Sequence, residues 1–384
     1  KFFRTTGENQ DRFHAFCERE RDWLDDFALF LALKSHSRNQ PWWQWPHDIR
    51  HRQPSALHRV RVRHRSDIEL FQFEQFLFAR QWQALRTFAR GHGVLLCGDL
   101  PMFVVLDSVE VWVHRTLFRL DADDRPAAVA GVPPDAFATE GQRWGNPLYD
   151  WNAMQEDNFA WWCCRIAHEL RRFDLLRLDH FRGLAACWEI PTDAESAAEG
   201  RWGEVPGGAL LQTLLERLGS LPLIAENLGT ITEDVENLRR QFDLPGMHVL
   251  QFAFDGSSDN SHLPENHTQN AVVYTGTHDN DTAKAWYCSL EPAIRDEVDR
   301  KFESQAADMP DALIRAALQS RASLAIIPMQ DLLGLGAGHR MNVPGTEQGN
   351  WRWRFSWDQV SGALEKKYRQ MISDSGRLPG AQSR

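Results

Sequence analysis

From Gly91 onward the sequence repeats one pattern: a short apolar run ends at a polar residue and gives way to a loop and a helical stretch. The runs are 94–97 before Gly98-Asp99, 175–178 before Asp179, and 221–225 before Glu226. They continue with 249–254 before Asp255, 272–274 leading to Thr277-His278-Asp279, and 324–327 leading to Gln330-Asp331. Helical patterns lie between most of them, at 158–172, 210–218 and 233–242. Strands alternating with helices call for parallel pairing and right-handed crossovers, an α/β fold. Polar groups gathered at the C-terminal ends of several strands suit a (β/α)8 TIM barrel, whose active site is built on that face. A doubly wound sheet also collects ligands at strand ends, but no Gly-rich dinucleotide loop or P-loop follows any of these runs.

The first ninety residues read differently. Phe13, Phe16, Cys17, Trp23, Phe27, Phe30 and Leu31 recur at three- and four-residue spacing and predict a helix over 11–33. A Trp/Pro-rich loop at 41–46 and a second helix over 67–90 follow, so 1–92 is expected to be a mainly helical insertion. The stretch 103–154 is too long for an ordinary connection and reads as a lid loop.

With 384 residues, 42% of them hydrophobic and 25% charged, the chain can bury a sizeable core. A net charge of −10 argues against nucleic acid or an anionic membrane as the main partner. No stretch has the length and apolarity of a membrane span, and the first ten residues do not make a signal peptide. The six cysteines lack metal-ligand spacing, and Cys97 and Cys187 are expected to be buried reduced thiols, which favours the cytoplasm. Sixteen tryptophans stand beside four tyrosines. Most are expected in the core, although flat indole faces also suit the C–H faces of sugars.

Three acidic positions stand out. Asp179 lies in Arg177-Leu178-Asp179-His180-Phe181-Arg182-Gly183, Glu226 in Ile224-Ala225-Glu226-Asn227-Leu228-Gly229, and Asp279 in Thr275-Gly276-Thr277-His278-Asp279-Asn280-Asp281. A retaining glycosidase needs a carboxylate nucleophile and a carboxylic acid about 5–5.5 Å away. Arg177 stands two residues before Asp179, so in a strand both point to one side, and the cation keeps Asp179 ionised. Glu226 must hold its proton, which neighbouring carboxylates and desolvation favour. On spacing alone, acids at strand ends serve equally well as helix caps. No H-x-H pair or His–Glu helix motif appears and Arg177 opposes a cation, so no catalytic metal and no cofactor is expected.

The segments RLDHFRG, LIAENLG and YTGTHDND closely resemble the three catalytic segments of the 4-α-glucanotransferases (amylomaltases, or disproportionating enzymes) of the α-amylase clan. GDLPMFV at 98–104, DSVEVW at 107–112, GVPPDAF…GQRWGNPLYDW at 131–151, PGMHVLQFAFD at 245–255 and RMNVPGT…GNWRWR at 340–354 are similar to further family segments, in the same order. The resemblance implies a TIM barrel whose first two strands would lie before Lys1, making 1–384 an incomplete catalytic barrel that folds poorly and transfers little by itself. It implies Asp179 as nucleophile, Glu226 as acid and base, and Asp279 as transition-state stabiliser. Arg177, His278 and Asp99 would line the subsite of bond cleavage. Phe137, Gln142, Trp144 and Asn146 on the lid, with Asn342 across the cleft, would hold the glucan. Substrates would be α-1,4-glucan donors and acceptors. An α-glucan hydrolase on the same carboxylates, or a glucan-binding fragment with impaired catalysis, are the alternatives.

The chain departs from the family pattern in three places. Asn227 stands where members usually carry Asp, Ala136 replaces an aromatic before Phe137, and Leu106 replaces a polar residue. Losing the acid at 227 is expected to lower the pKa of Glu226.

Overall fold

The structure, a computed structural model, describes residues 7–134, 139–346 and 348–378 and divides into two compact units, Lys1–Phe242 and Asp243–Arg384.

The first unit begins with helices Gly7–Arg19, Arg21–His36, His47–Arg50, Pro54–Arg63 and Arg65–Gly91. The single helix expected over 11–33 is two, separated at Glu20, whose backbone leaves helical geometry at φ −101° and ψ 11°. No Gly or Pro marks the break. Tertiary partners hold it instead: Glu20 is buried, accepts a hydrogen bond from Trp23 Nε1 at 2.9 Å and pairs with Arg171 at 3.1 Å. Phe13, Phe16, Leu24 and Phe76 pack a small core between the first, second and fifth of these helices.

Among the described residues, seven strands follow in this unit: β1 (Cys97–Leu100), β2 (Ala128–Val132), β3 (Gln142–Pro147), β4 (Leu175–Leu178), β5 (Ala186–Pro191), β6 (Arg201–Glu204) and β7 (Leu223–Ala225). β1, β4 and β7 form a parallel sheet in that order, as the alternating pattern predicts. β4 falls on its expected apolar run, whereas β1 begins at Cys97, where the run was expected to end. Val94 and Leu95 stay exposed, because the chain turns at Gly93 (φ +71°) and the segment meets β4 only from Cys97. Cys97 is therefore exposed rather than buried, while Cys187 on β5 is buried as expected.

The antiparallel sheet β3-β2-β5-β6 was not expected. Its strands carry Gly131, Gly145, Pro147, Pro191 and Gly203, and they lack the clean apolar–polar alternation by which a half-buried strand is recognised. Residues 103–154 are thus no plain loop. They contain β2, β3 and the short helices Val109–Val113 and, at their end, Trp151–Glu156. Trp161 and Trp162 lie buried on helix Ala160–Leu170, in the core role expected of them.

The second unit holds β8 (Gly246–Val249), β9 (Ala271–Tyr274) and β10 (Leu324–Ile326), parallel in the order β10-β9-β8. The expected run 249–254 begins where β8 ends. Leu250–Phe252 turn into a 3-10 helix, yet Leu250 and Gln251 are as buried as the strand, so an apolar run does not distinguish the two. Leu250, Ala271 and Val273 pack against Ala283, Tyr287, Val298 and Leu313 from the helices of this unit. Asp331 is a buried staple here: it accepts from Thr275 Oγ1 at 2.6 Å and from the Ala283 N–H at 2.8 Å. Among the described residues no helix is long and apolar enough to cross a membrane.

Candidate active site

The parallel pairing of β4 with β7 aligns Arg177 with Ile224 and Leu178 with Ala225. Asp179 and Glu226 are the next residue on each strand, so they emerge side by side at the C-terminal end. Backbone bonds carry the ladder past them: Asp179 N–H to Leu100 O at 3.0 Å, Glu226 N–H to Leu178 O at 3.1 Å, and Phe181 N–H to Glu226 O at 3.0 Å.

Arg177 lies in register with Asp99 of β1 and two residues before Asp179, and its guanidinium reaches both. Nη1 donates to Asp99 Oδ1 at 2.7 Å and Nη2 pairs with Asp179 Oδ1 at 2.8 Å. Burial works against the charge of Arg177, but Asp179, Asp99 and Glu226 outweigh it and raise its pKa. The guanidinium therefore stays positive, and a planar fork that grips two carboxylates fixes both.

Glu226 is buried, and both its oxygens are held by backbone. Oε2 accepts the His180 N–H at 2.7 Å and Oε1 the Leu228 N–H at 3.0 Å. Desolvation, then the charge of Asp179, push its pKa up to about 7, against the opposing pull of Arg177 and the two N–H groups. One carboxyl is thus paired with a cation while its neighbour has its pKa raised to about 7, so the two like groups differ in protonation near neutral pH.

The third acid stands in the second unit. Asp279 follows β9, and its Oδ1 accepts from Asn342 Nδ2 at 2.6 Å. Its Oδ2 lies 3.3 Å from His278 Nε2. Arg340 Nη2 donates to the Asp279 carbonyl at 2.7 Å, and the Asn342 N–H donates to the His278 carbonyl at 3.1 Å. Asn342, expected on the glucan, has an amide hydrogen committed to Asp279.

Of the residues expected on a lid, Gln142, Trp144 and Asn146 lie on β3. Trp144 is 37% exposed, donates from Nε1 to Gln142 Oε1 at 3.1 Å, and meets the His180 ring edge-on at 4.7 Å. His180 thus meets Trp144 with its ring and Glu226 with its backbone N–H. Asn146 Nδ2 donates to Val104 O at 2.9 Å, which fastens β3 to the segment after β1. Phe137 and Ala136 lie outside the described residues.

A family model described as 4-alpha-glucanotransferase matches residues 1–360. This chain belongs to the 4-alpha-glucanotransferase family. It is 44% identical over 379 residues to a 4-alpha-glucanotransferase of Thermus thermophilus, covering 97% of this chain and 76% of that protein. It is also 44% identical to a chloroplastic/amyloplastic 4-alpha-glucanotransferase of Solanum tuberosum, covering 93% of this chain but 62% of the potato protein. An amylomaltase from Streptococcus agalactiae in complex with acarbose superposes with a TM-score of 0.93 at 35% identity, over 97% of this chain and 76% of that one.

The site shows two features that spacing did not single out. His180 takes a left-handed conformation (φ 52°), and it is this residue's N–H that meets Glu226. Burial, then Arg182, lower its pKa to about 4, so the ring is neutral, and Nε2 is buried with no hydrogen-bond partner. Phe103 is buried and stacks on Tyr149 at 5.8 Å, bordering both Trp144 and His180. The signal for His180 was its place directly after the nucleophile candidate; Phe103 had none. Asn227, the departure from the family pattern, donates to Glu236 Oε1 at 2.6 Å. The expected lowering of the Glu226 pKa is outweighed, since burial and Asp179 raise it. The carbonyl of Leu106 accepts Trp42 Nε1 at 2.7 Å, a main-chain contact open to any side chain at 106.

Proposed function

We propose that this chain moves α-1,4-glucan segments between maltodextrins by a retaining double displacement. The observation that carries the reading is the pair at the ends of β4 and β7: Asp179 ion-paired to Arg177, and Glu226 with its pKa raised to about 7. In the first step an Asp179 oxygen bonds to the anomeric carbon while the glycosidic C–O bond breaks, and the leaving oxygen takes the Glu226 proton. In the second, an acceptor hydroxyl gives its proton to Glu226, bonds to the same carbon and expels Asp179. The resemblance assigns Asp279, whose carboxylate Asn342 and His278 hold, the role of stabilising the positive charge that develops in the transition state.

Gln142, Trp144 and Asn146 hold the glucan, a role the resemblance extends to Phe137. An aromatic lid that excludes water favours a sugar acceptor, which binds by its apolar faces. The (β/α)8 barrel belongs to this proposal. It is supported by six parallel strands in two sets of three, with polar residues following them. A cytoplasmic setting is supported by six free thiols.

Maltotriose tests the reading. A ladder of longer and shorter oligomers with glucose marks transfer, whereas glucose and maltose alone mark hydrolysis and would overturn it. Asp179→Asn must abolish the ladder; an unchanged rate removes Asp179 from the nucleophile role.

A further inference from the structure

Far along the chain from the acids, the helical region brings two imidazoles and a carboxylate together. His36 ends helix Arg21–His36, His64 joins helices Pro54–Arg63 and Arg65–Gly91, and Asp67 lies in the first turn of the latter. His36 Nε2 is 2.8 Å from Asp67 Oδ2, and His64 Nδ1 is 4.0 Å from the same oxygen. The two rings lie with centroids 3.9 Å apart. All three ligand atoms fall within 4.8 Å of one another, and among the described residues no other group of His, Cys, Asp and Glu does so.

We propose that His36 Nε2, His64 Nδ1 and Asp67 Oδ2 bind a divalent transition metal ion of the zinc class. Ligands of a tetrahedral zinc at about 2.0–2.1 Å stand about 3.3 Å apart. The observed separations from Asp67 fall on either side of that value, and His36 and Asp67, whose side chains are 48% and 42% exposed, have room to turn toward the more buried His64. Two imidazole nitrogens and one carboxylate select zinc, nickel or copper over magnesium or calcium, which take all-oxygen sites. The metal replaces the proton that lies between His36 and Asp67, and water takes the fourth position. The sequence hides the site because His36 and Asp67 are 31 residues apart on separate helices.

The neighbouring pair His47 and His51, with ring centroids 4.2 Å apart, serves as a control. Arg115 Nη1 contacts His51 Nδ1 at 2.8 Å there, and the pair is part of no such three-residue group. The ion would join the end of one long helix to the start of another, a structural role separate from glucan transfer.

Calorimetric titration of the chain with zinc chloride, in buffer free of chelators, tests this. One equivalent is expected that His36→Ala and His64→Ala lose, that Asp67→Asn weakens at least about tenfold, and that His47→Ala leaves unchanged. Zinc should also raise the melting temperature of the parent chain and not that of His36→Ala. His36 is exposed and Asp67 half-buried, so their variants should fold; circular dichroism and transfer activity on maltotriose check this for them and for His64→Ala, whose side chain is more buried. Equal zinc uptake by the parent chain and the His36 and His64 variants would assign the metal to others of the 15 histidines and 6 cysteines and overturn the proposal. So would the absence of uptake by the parent chain.

Discussion

Replacing Arg177 by methionine tests the division of labour between the two acids. The substitution keeps much of the volume of the side chain and removes its contacts to Asp99 and Asp179, at 2.7 and 2.8 Å. A hydrogen bond to a charged group contributes about 1.5–3 kcal/mol, so losing the one that positions Asp179 should lower kcat/KM about 10- to 150-fold. Breaking a buried ion pair ordinarily costs about 3–5 kcal/mol of stability. Asp99 and Asp179, however, are each 43% exposed and rehydrate when the cation leaves, which brings the loss toward about 1 kcal/mol. Activity should therefore fall while the fold survives. The pH profile then supplies a sign. Arg177 pulls the Glu226 pKa down and Asp179 pushes it up, so removing the cation raises it above about 7. Glu226 acts first as an acid and is lost as it ionises, so the alkaline limb of kcat/KM should move to higher pH. The assay is glucose release from maltotriose between about pH 5 and 9, with circular dichroism to confirm folding. A rate within about twofold of the parent, or an alkaline limb that moves down, would refute the assignment.

Three further outcomes follow from the same geometry. Asn342→Ala removes the 2.6 Å bond to Asp279 and should lower kcat by about tenfold with KM little changed, read from steady-state kinetics on maltotriose. A methyl group at Gly207 would meet the Leu184 carbonyl oxygen at 2.0 Å, whereas at Gly208 it meets only Leu238 at 3.8 Å. Thermal unfolding should thus show Gly207→Ala losing about 1–3 kcal/mol and Gly208→Ala neutral or more stable, since both lie in the first turn of helix Gly207–Leu218. At Asp174, burial favours the neutral form, but the Leu96 N–H with Arg90 and Arg86 outweighs it and holds the pKa near 2. That stability is complete above the unfolded value of about 3.9 and disappears as pH falls through the folded one. Asp174→Asn should cost about 1 kcal/mol at neutral pH after screening, and its melting temperature should meet the parent's near pH 2.

The sequence made the parallel strands legible because they are largely buried and written as short apolar runs, as at 272–274. Asp179 and Glu226 were legible for the same reason: each is the first charged residue after such a run. The positions of strand ends were not. Val94 and Leu95 are as apolar as a strand yet face solvent, and Leu250 is as buried as a strand yet turns. The antiparallel sheet was hidden by strands such as Arg-Trp-Gly-Glu of β6, whose pairing comes from tertiary neighbours rather than local pattern. The break at Glu20 has the same origin. Electrostatics were read in part: the Arg177–Asp179 pair follows from strand period, but the His180 N–H on Glu226 depends on a left-handed residue that no side-chain pattern announces.

That contact has an engineering consequence. Because Glu226 is clamped through main-chain amides and Asp179 follows directly from a hydrogen-bonded ladder, the spacing of the two carboxyls is a dimension of the scaffold. Trimming Glu226 to aspartate would release it from the His180 and Leu228 amides before it gave a second, useful spacing. Turning a catalyst of this design toward the wider separation of an inverting enzyme, about 6.5–9.5 Å, would require adding backbone after β4 or β7. Evolution and design alike have more freedom at Gln142 and Trp144 on β3, whose side chains are not part of that clamp.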